Sequence, residues 1–275
     1  MSDIRTATGR RIFYDEAGTG PPVFLIPGHG GYRRGSLIWL VDALAPRFRV
    51  VAMDNRDAGE SEPETEYYNL GDMAGDVAAL LDALGIDRAH VVAHLMGSAI
   101  ALQLALDHPT RVQCLVLISP SVGGEPGHRA GELLPPPDTW WVDDPVERTR
   151  RVLPVVVGPD YRSRLSASEV AAIAELERGN RATWAGMMRQ EAAVAKDDQI
   201  VLQLAELRTP AVVIHGDADV PVPLEQAQAL TAGVPGARIV VLPGVGHRPW
   251  MEHPGATIGA IPSFLTEASE RVPAA

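Results

Sequence analysis

The chain has 275 residues, 46% of them hydrophobic and 21% charged, which is the balance of a folded globular protein and enough length for one α/β domain with or without an insertion. Acidic residues outnumber basic ones by 35 to 24, and the net charge of -11 argues against a nucleic-acid surface, which needs clustered Lys and Arg. Residues 1–11 contain no apolar signal segment and no run of 18 apolar residues follows, so the expected location is the cytoplasm, with no membrane partner.

In chain order, residues 10–16 read as a short edge strand, and Gly18–Pro22 as a turn by its Gly and Pro content. Val23–Ile26 is a continuous apolar strand of the kind buried on both faces of a parallel sheet. It runs into Pro27-Gly28-His29-Gly30-Gly31, a loop whose three glycines can leave backbone N–H groups open to an anion; a tight strand-to-helix turn is the plainer reading. A helix over 36–45 and a strand over 49–53 lead to the polar loop Asp54–Ser61, expected to brace its neighbours. The Arg pairs at 10–11, 33–34 and 150–151 are expected to be solvated. From 70 to 84, Leu70, Met73, Val77, Leu80, Leu81 and Leu84 recur at three- and four-residue steps and predict a core-facing helix stopped by Gly85.

Val91-Val92-Ala93-His94-Leu95-Met96-Gly97-Ser98 then takes the form strand, sharp turn, helix, with small residues Ala93 and Gly97 two positions on either side of Leu95. This is the frame of a nucleophile elbow, in which small flanking residues let strand and helix approach closely. Its apex holds leucine, which has no lone pair with which to attack a carbonyl. Ser98 lies three residues into the helix and reads as a helix hydroxyl. Cys114, the single cysteine, sits in the apolar strand 111–118 and reads as a buried, inert thiol.

Strand and helix alternate up to residue 118, which calls for a parallel sheet with helices on both faces. Residues 119–208 break the alternation: Gly123-Gly124, three consecutive prolines at 135–137, and helical patterns at 167–178 and 180–195, the first capped by Ser166 or Ser168. The expected organisation is a core of residues 1–118 and 209–275 carrying a helical cap at 119–208, whose Trp140, Trp141, Trp184, Met187 and Met188 offer apolar surface to a bulky ligand or to the core itself. The alternation resumes with a strand at 211–214, a helix at 224–232, a strand at 237–242 and a final helix at 254–270, with Asp217 or Asp219 and His247 in the loops beyond the last two strands.

Elbow, acid and histidine, in that order at strand ends, resemble the α/β-hydrolase superfamily along essentially the whole chain. The loop Asp54–Ser61, the elbow flanks and Ala237–His247 resemble most closely the small bacterial esterases of the aclacinomycin methylesterase type. The resemblance implies a mostly parallel sheet, no cofactor and no metal. It makes Asp219 the acid, through the pattern Gly216-x-x-Asp219, and Asp217 a loop residue. His247 becomes the general base, and the backbone N–H groups of His29 and Met96 the oxyanion donors, with Gly28, Gly30 and His94 close to the substrate; His94 is expected mainly to pack. Leu95 is the departure, because relatives carry a nucleophile there. Three functions stay open: a hydrolase of esterase or lactonase lineage with its acyl-enzyme chemistry disabled, a lyase, decarboxylase, cyclase or dehydratase that uses His247 and Asp219 as a base, and a ligand-binding module without chemistry. A polyketide or other bulky apolar small molecule is the expected ligand in each.

Overall fold

A computed structural model describes residues 2–6, 9–35, 37–122, 142, 144–179, 182–195 and 199–271. Eight strands form one sheet: β1 (Ser2–Arg5), β2 (Arg11–Ala17), β3 (Pro22–Ile26), β4 (Arg49–Met53), β5 (Ala89–His94), β6 (Val112–Ile118), β7 (Ala211–Gly216) and β8 (Arg238–Leu242). Their spatial order is β1-β2-β4-β3-β5-β6-β7-β8. β1 and β2 pair antiparallel, β2 and β4 likewise, and every later pairing is parallel. The edge strand is therefore β1, and the strand beginning at residue 11 lies one place inward. Four residues with a single apolar side chain, Ile4, gave β1 no periodicity to detect.

The apolar runs of the inner strands are explained by burial on both faces. Phe24, Ile26, Val91, Ala93, Leu115 and Leu117 point to one side, where they meet the helices α2 (Leu70–Ala83) and α3 (Gly97–Asp107). Val23, Leu25, Val92, Val116 and Ile118 point to the other, where Leu40 and Leu44 of α1 (Ile38–Leu44) cover them together with residues of a C-terminal helix. A strand whose successive side chains are all buried shows no polar alternation. α2 starts with a capping box in which Asn69 and Asp72 each accept the other's backbone N–H, at 2.9 and 3.0 Å.

Between β6 and β7 the described residues are helical: α4 (Pro145–Val156), α5 (Pro159–Arg164), α6 (Ala167–Glu177), α7 (Trp184–Ala195), α8 (Gln199–Gln203) and a short 3₁₀ turn. Ser166 caps α6 and forms a box with Glu169. α9 (Leu224–Gly233) joins β7 to β8, and α10 (Pro249–Glu252) precedes the long α11 (Pro254–Arg271), whose Ile261, Phe264 and Leu265 are buried. No helix among the described residues is long and apolar enough to cross a membrane.

Parallel register brings the carboxyl ends of the inner strands to one edge of the sheet. Ile26 is level with Ala93, Ala93 with Leu117, Ile118 with Ile214, and Gly216 with Leu242. The loops beginning at Pro27, Leu95, Asp217 and Pro243 consequently converge although up to 216 residues separate them in sequence.

Candidate active site

Leu95 stands between β5 and α3 with φ at 52°, a left-handed backbone that costs a non-glycine residue on the order of 1 kcal/mol or more. The surroundings fix it there. Its N–H donates to the Ile118 carbonyl at 3.1 Å, and its own carbonyl accepts from Ser98 at 3.0 Å and Ser121 at 3.2 Å. Gly97 is small for a specific reason: a Cβ at that position would lie 2.4 Å from the Ile26 carbonyl oxygen. Gly28 of the glycine loop presses on the apex itself, and a Cβ there would stand 2.9 Å from the Leu95 Cβ and 3.3 Å from the His94 Nδ1. The Asn55 amide holds this loop by donating to the Pro27 carbonyl at 2.8 Å.

The glycine loop and the elbow turn each present a backbone donor. Neither the His29 nor the Met96 N–H donates to an acceptor among the described residues. Gly30 has φ at 57°, which suits glycine.

His247 and Asp219 are buried and face each other. The His247 Nδ1 lies 3.0 and 2.9 Å from the two Asp219 carboxylate oxygens, and Asp219 also accepts the Val222 N–H at 2.9 Å. Burial opposes the charge on Asp219, but the adjacent His247 ring and the bonds it receives outweigh that and hold its carboxyl below the usual value. An ionised Asp219 fixes the proton of His247 on Nδ1 and leaves the lone pair on Nε2. That Nε2 is buried and has no hydrogen-bond partner among the described residues. Asp217, the other candidate acid, accepts the Gly244 N–H at 2.6 Å on the exposed side of the loop.

His94 packs behind this pair. Its Nε2 donates to the His247 carbonyl at 3.2 Å, and its ring meets those of His247 and Trp250 at centroid distances of 4.6 Å each. It is buried, with 7% of its surface exposed, and packs directly against His247. Burial, followed by the neighbouring His247, keeps His94 neutral, its pKa well below the ordinary histidine value. Glu252 adds a second support, accepting the Gly246 N–H at 2.9 Å and the Gly158 N–H at 2.7 Å. It thereby ties the loop before His247 to the segment between β6 and β7. Neither Trp250 nor Glu252 stands out in the sequence, because a helix of four residues is too short to show a period.

The segment between β6 and β7 reaches the glycine loop through one turn of α7. Trp184 opens that helix and Met188 follows one turn later, both half-buried; the side chain against Gly30 is that of Met187, whose sulfur would stand 3.2 Å from a Cβ there. Arg189 forms a two-pronged ion pair with Asp57 at 2.9 and 2.7 Å, and Glu191 lies 3.1 Å from the His29 Nε2. Trp140 and Trp141 lie outside the described residues. Arg33 corrects the expectation of a solvated pair: it is 1% exposed, bonded to the Asp54 carboxylate and to Asp15 and Glu60 at 3.0 and 2.6 Å, while Arg34 remains largely exposed. No group of three or more potential metal ligands occurs among the described residues.

A parallel sheet with an elbow, a glycine loop, and an imidazole–carboxylate pair at one edge defines a class of protein, and the family comparison agrees with it. The chain belongs to the alpha/beta hydrolase fold family, whose model matches residues 21–254. It is 30% identical to an uncharacterized protein of Mycobacterium tuberculosis, over 97% of this chain and 82% of that one. It is 28% identical to 2-hydroxymuconate semialdehyde hydrolase of Pseudomonas sp. strain CF600, over 95% and 93%. Among solved structures it is similar to a hydrolase from Pseudomonas aeruginosa, with a TM-score of 0.82, 28% identity, and 96% and 97% of the two chains covered.

Proposed function

We propose that this chain is a small-molecule enzyme of esterase or lactonase lineage in which the acyl-enzyme route is closed at Leu95, residues 119–208 forming a cap over the site. The observation that carries the reading is the backbone of Leu95. The residue occupies the left-handed apex of an elbow against a glycine loop with one open donor, in a chain that also pairs an imidazole with a carboxylate. The Asp219–His247 pair and the glycine loop support the reading, and the leucine side chain at the apex cannot act as a nucleophile. In this reading the N–H groups of His29 and Met96 stabilise negative charge on a carbonyl oxygen, His247 moves protons, and Asp219 orients it. The ligand is a bulky apolar small molecule held between the glycine loop and the cap helices, a polyketide if the likeness to aclacinomycin methylesterase-type esterases extends to the substrate. The named hydrolase from Pseudomonas supports a small organic substrate.

The test is Leu95→Ser. In this reading it restores a hydroxyl for the imidazole that Asp219 orients, and hydrolysis of p-nitrophenyl esters should rise by roughly 10³-fold or more over the unmodified chain. No rise across a broad ester panel would sink the reading.

One observation favours a second reading. The His247 Nε2 is buried with no hydrogen-bond partner among the described residues, and the apex residue Leu95 has no side-chain group that could pair with it. A base so poised suits proton abstraction from an acidic C–H or O–H without a covalent intermediate, as in a lyase, decarboxylase, cyclase or dehydratase. The unmodified chain would then already convert its substrate, and His247→Ala should lower that rate by roughly 10²–10⁴ while Leu95→Ser adds little.

A further inference from the structure

Gln190 is a polar side chain of the segment between β6 and β7 that nevertheless has no exposed surface. Its carbonyl oxygen accepts the Gly30 N–H at 2.8 Å, and its amide donates to the Arg56 carbonyl at 2.7 Å. The two bonds span 160 and 134 residues of sequence. One side chain of α7 thus joins the glycine loop after β3 to the polar loop after β4. A buried amide with both ends satisfied defines one arrangement of the groups it bridges, because any shift leaves a buried donor or acceptor unpaired.

The neighbours of Gln190 act on the same two loops. Met187 fills the space beside Gly30, Glu191 stands next to the His29 ring, and Arg189 closes on Asp57, whose own backbone is left-handed at 65° and whose carboxylate also accepts from Tyr68 at 3.0 Å. Gly30 is one residue beyond His29, whose N–H is the outer oxyanion donor of the proposed function. With φ at 57°, the peptide that follows His29 is turned so that the Gly30 N–H points to Gln190. Two successive amides of this loop therefore have different tasks, one anchored to α7 and one left open.

We infer that Gln190 is a positioning residue: by anchoring the Gly30 N–H from α7 it sets the direction of the His29 N–H, so that the oxyanion donor is in place only while α7 is docked. The oxyanion role rests on the function proposed above; the anchoring does not. Gln190→Met keeps the length and volume of the side chain and removes both polar ends.

Two measurements test this separately. Amide hydrogen exchange on the otherwise unmodified protein should accelerate at Gly30 by about tenfold or more in Gln190→Met, with the amides of β5 and β7 unchanged. In the Leu95→Ser background, Gln190→Met should lower kcat for p-nitrophenyl esters by roughly 10²-fold with little change in KM, since an oxyanion donor acts in the transition state. Unchanged exchange at Gly30, or a uniform rise over the whole chain, would overturn the anchoring. A loss confined to KM would overturn the link to the oxyanion. If Leu95→Ser restores no hydrolysis the proposed function fails, and the exchange result still decides the anchor. Should Gln190→Met fail to fold, Gln190→Asn, one methylene too short to span both partners, is expected to give the same exchange pattern.

Discussion

Two histidines of similar burial illustrate how partners decide what a residue can do. His247 has an ionised carboxylate on Nδ1 and an unpaired Nε2. His90, at the opposite end of β5, has both nitrogens occupied: Nδ1 is 3.0 Å from the Cys114 sulfur and Nε2 is 3.1 Å from the Ser269 hydroxyl, which in turn donates to the Leu265 carbonyl at 2.9 Å. The single hydroxyl proton of Ser269 is thus committed, so His90 donates through Nε2 and accepts from the thiol through Nδ1. Cysteine, histidine and serine are in line, yet burial outweighs the Arg88 charge that would activate the thiol. Burial pushes the Cys114 thiol up to about 12 and His90 down to about 4. Cys114 is expected to stay unmodified by a thiol-specific disulfide reagent in the native protein and to react once on unfolding; rapid native labelling would contradict this account. His94 and His215 are also held below the ordinary histidine value, chiefly by burial. For a group depressed in the folded state, the unfolded chain binds the extra proton, so the stability contribution is complete above about pH 6.5 and is lost as pH falls toward the folded values. His90 should cost up to about 1.4 kcal/mol per pH unit between 6.5 and its folded value of about 4, and His94 and His215 act in the same direction. Urea midpoints at pH 7.5 and 5.5 should show the acidic sample clearly less stable, and equal midpoints would refute the assignment.

At the scale of elements, the elbow depends on close approach of backbone to backbone. Gly97→Ala puts a methyl 2.4 Å from the Ile26 carbonyl oxygen, and neither β3 nor α3 can withdraw without breaking its own ladder. We expect a loss of about 2–3 kcal/mol, read from chemical denaturation. The polar loop after β4 is held differently, by charge. Arg33→Leu removes the cation from a carboxylate that is itself wholly buried, and should destabilise the protein by about 3–5 kcal/mol. A change below 1 kcal/mol in either variant would show that the loops relax freely.

For the molecule as a whole, the sheet edge assembles the site and α7 closes onto it. With leucine at the apex, a fluorophosphonate probe should leave the intact mass of the protein unchanged, whereas Leu95→Ser should take up one equivalent. Stoichiometric labelling of the unmodified chain at Ser98 or elsewhere would reveal a displaced nucleophile and overturn the reading of Leu95.

Sequence alone carried the α/β architecture, because strands buried on both faces and helices with one apolar face write their periods directly into the chain. It also carried the candidate site as far as Leu95, His247 and the glycine loop, each placed by a strand end or a turn glycine, and left Asp217 and Asp219 as alternatives that only the family resemblance separated. The strand β1, the helix α10 and the burial of Arg33 escaped it, since four residues are too few for a period and an Arg pair looks the same whether solvated or clamped by three carboxylates. Tertiary structure decided which partners meet. Only the fold sets the Asp219 carboxylate against the His247 ring, packs His94 behind it, and brings Gln190 to Gly30 across 160 residues. Local sequence fixes backbone preference over a few residues, while the pairing of a buried polar group is settled by whichever distant segment the sheet register carries to it.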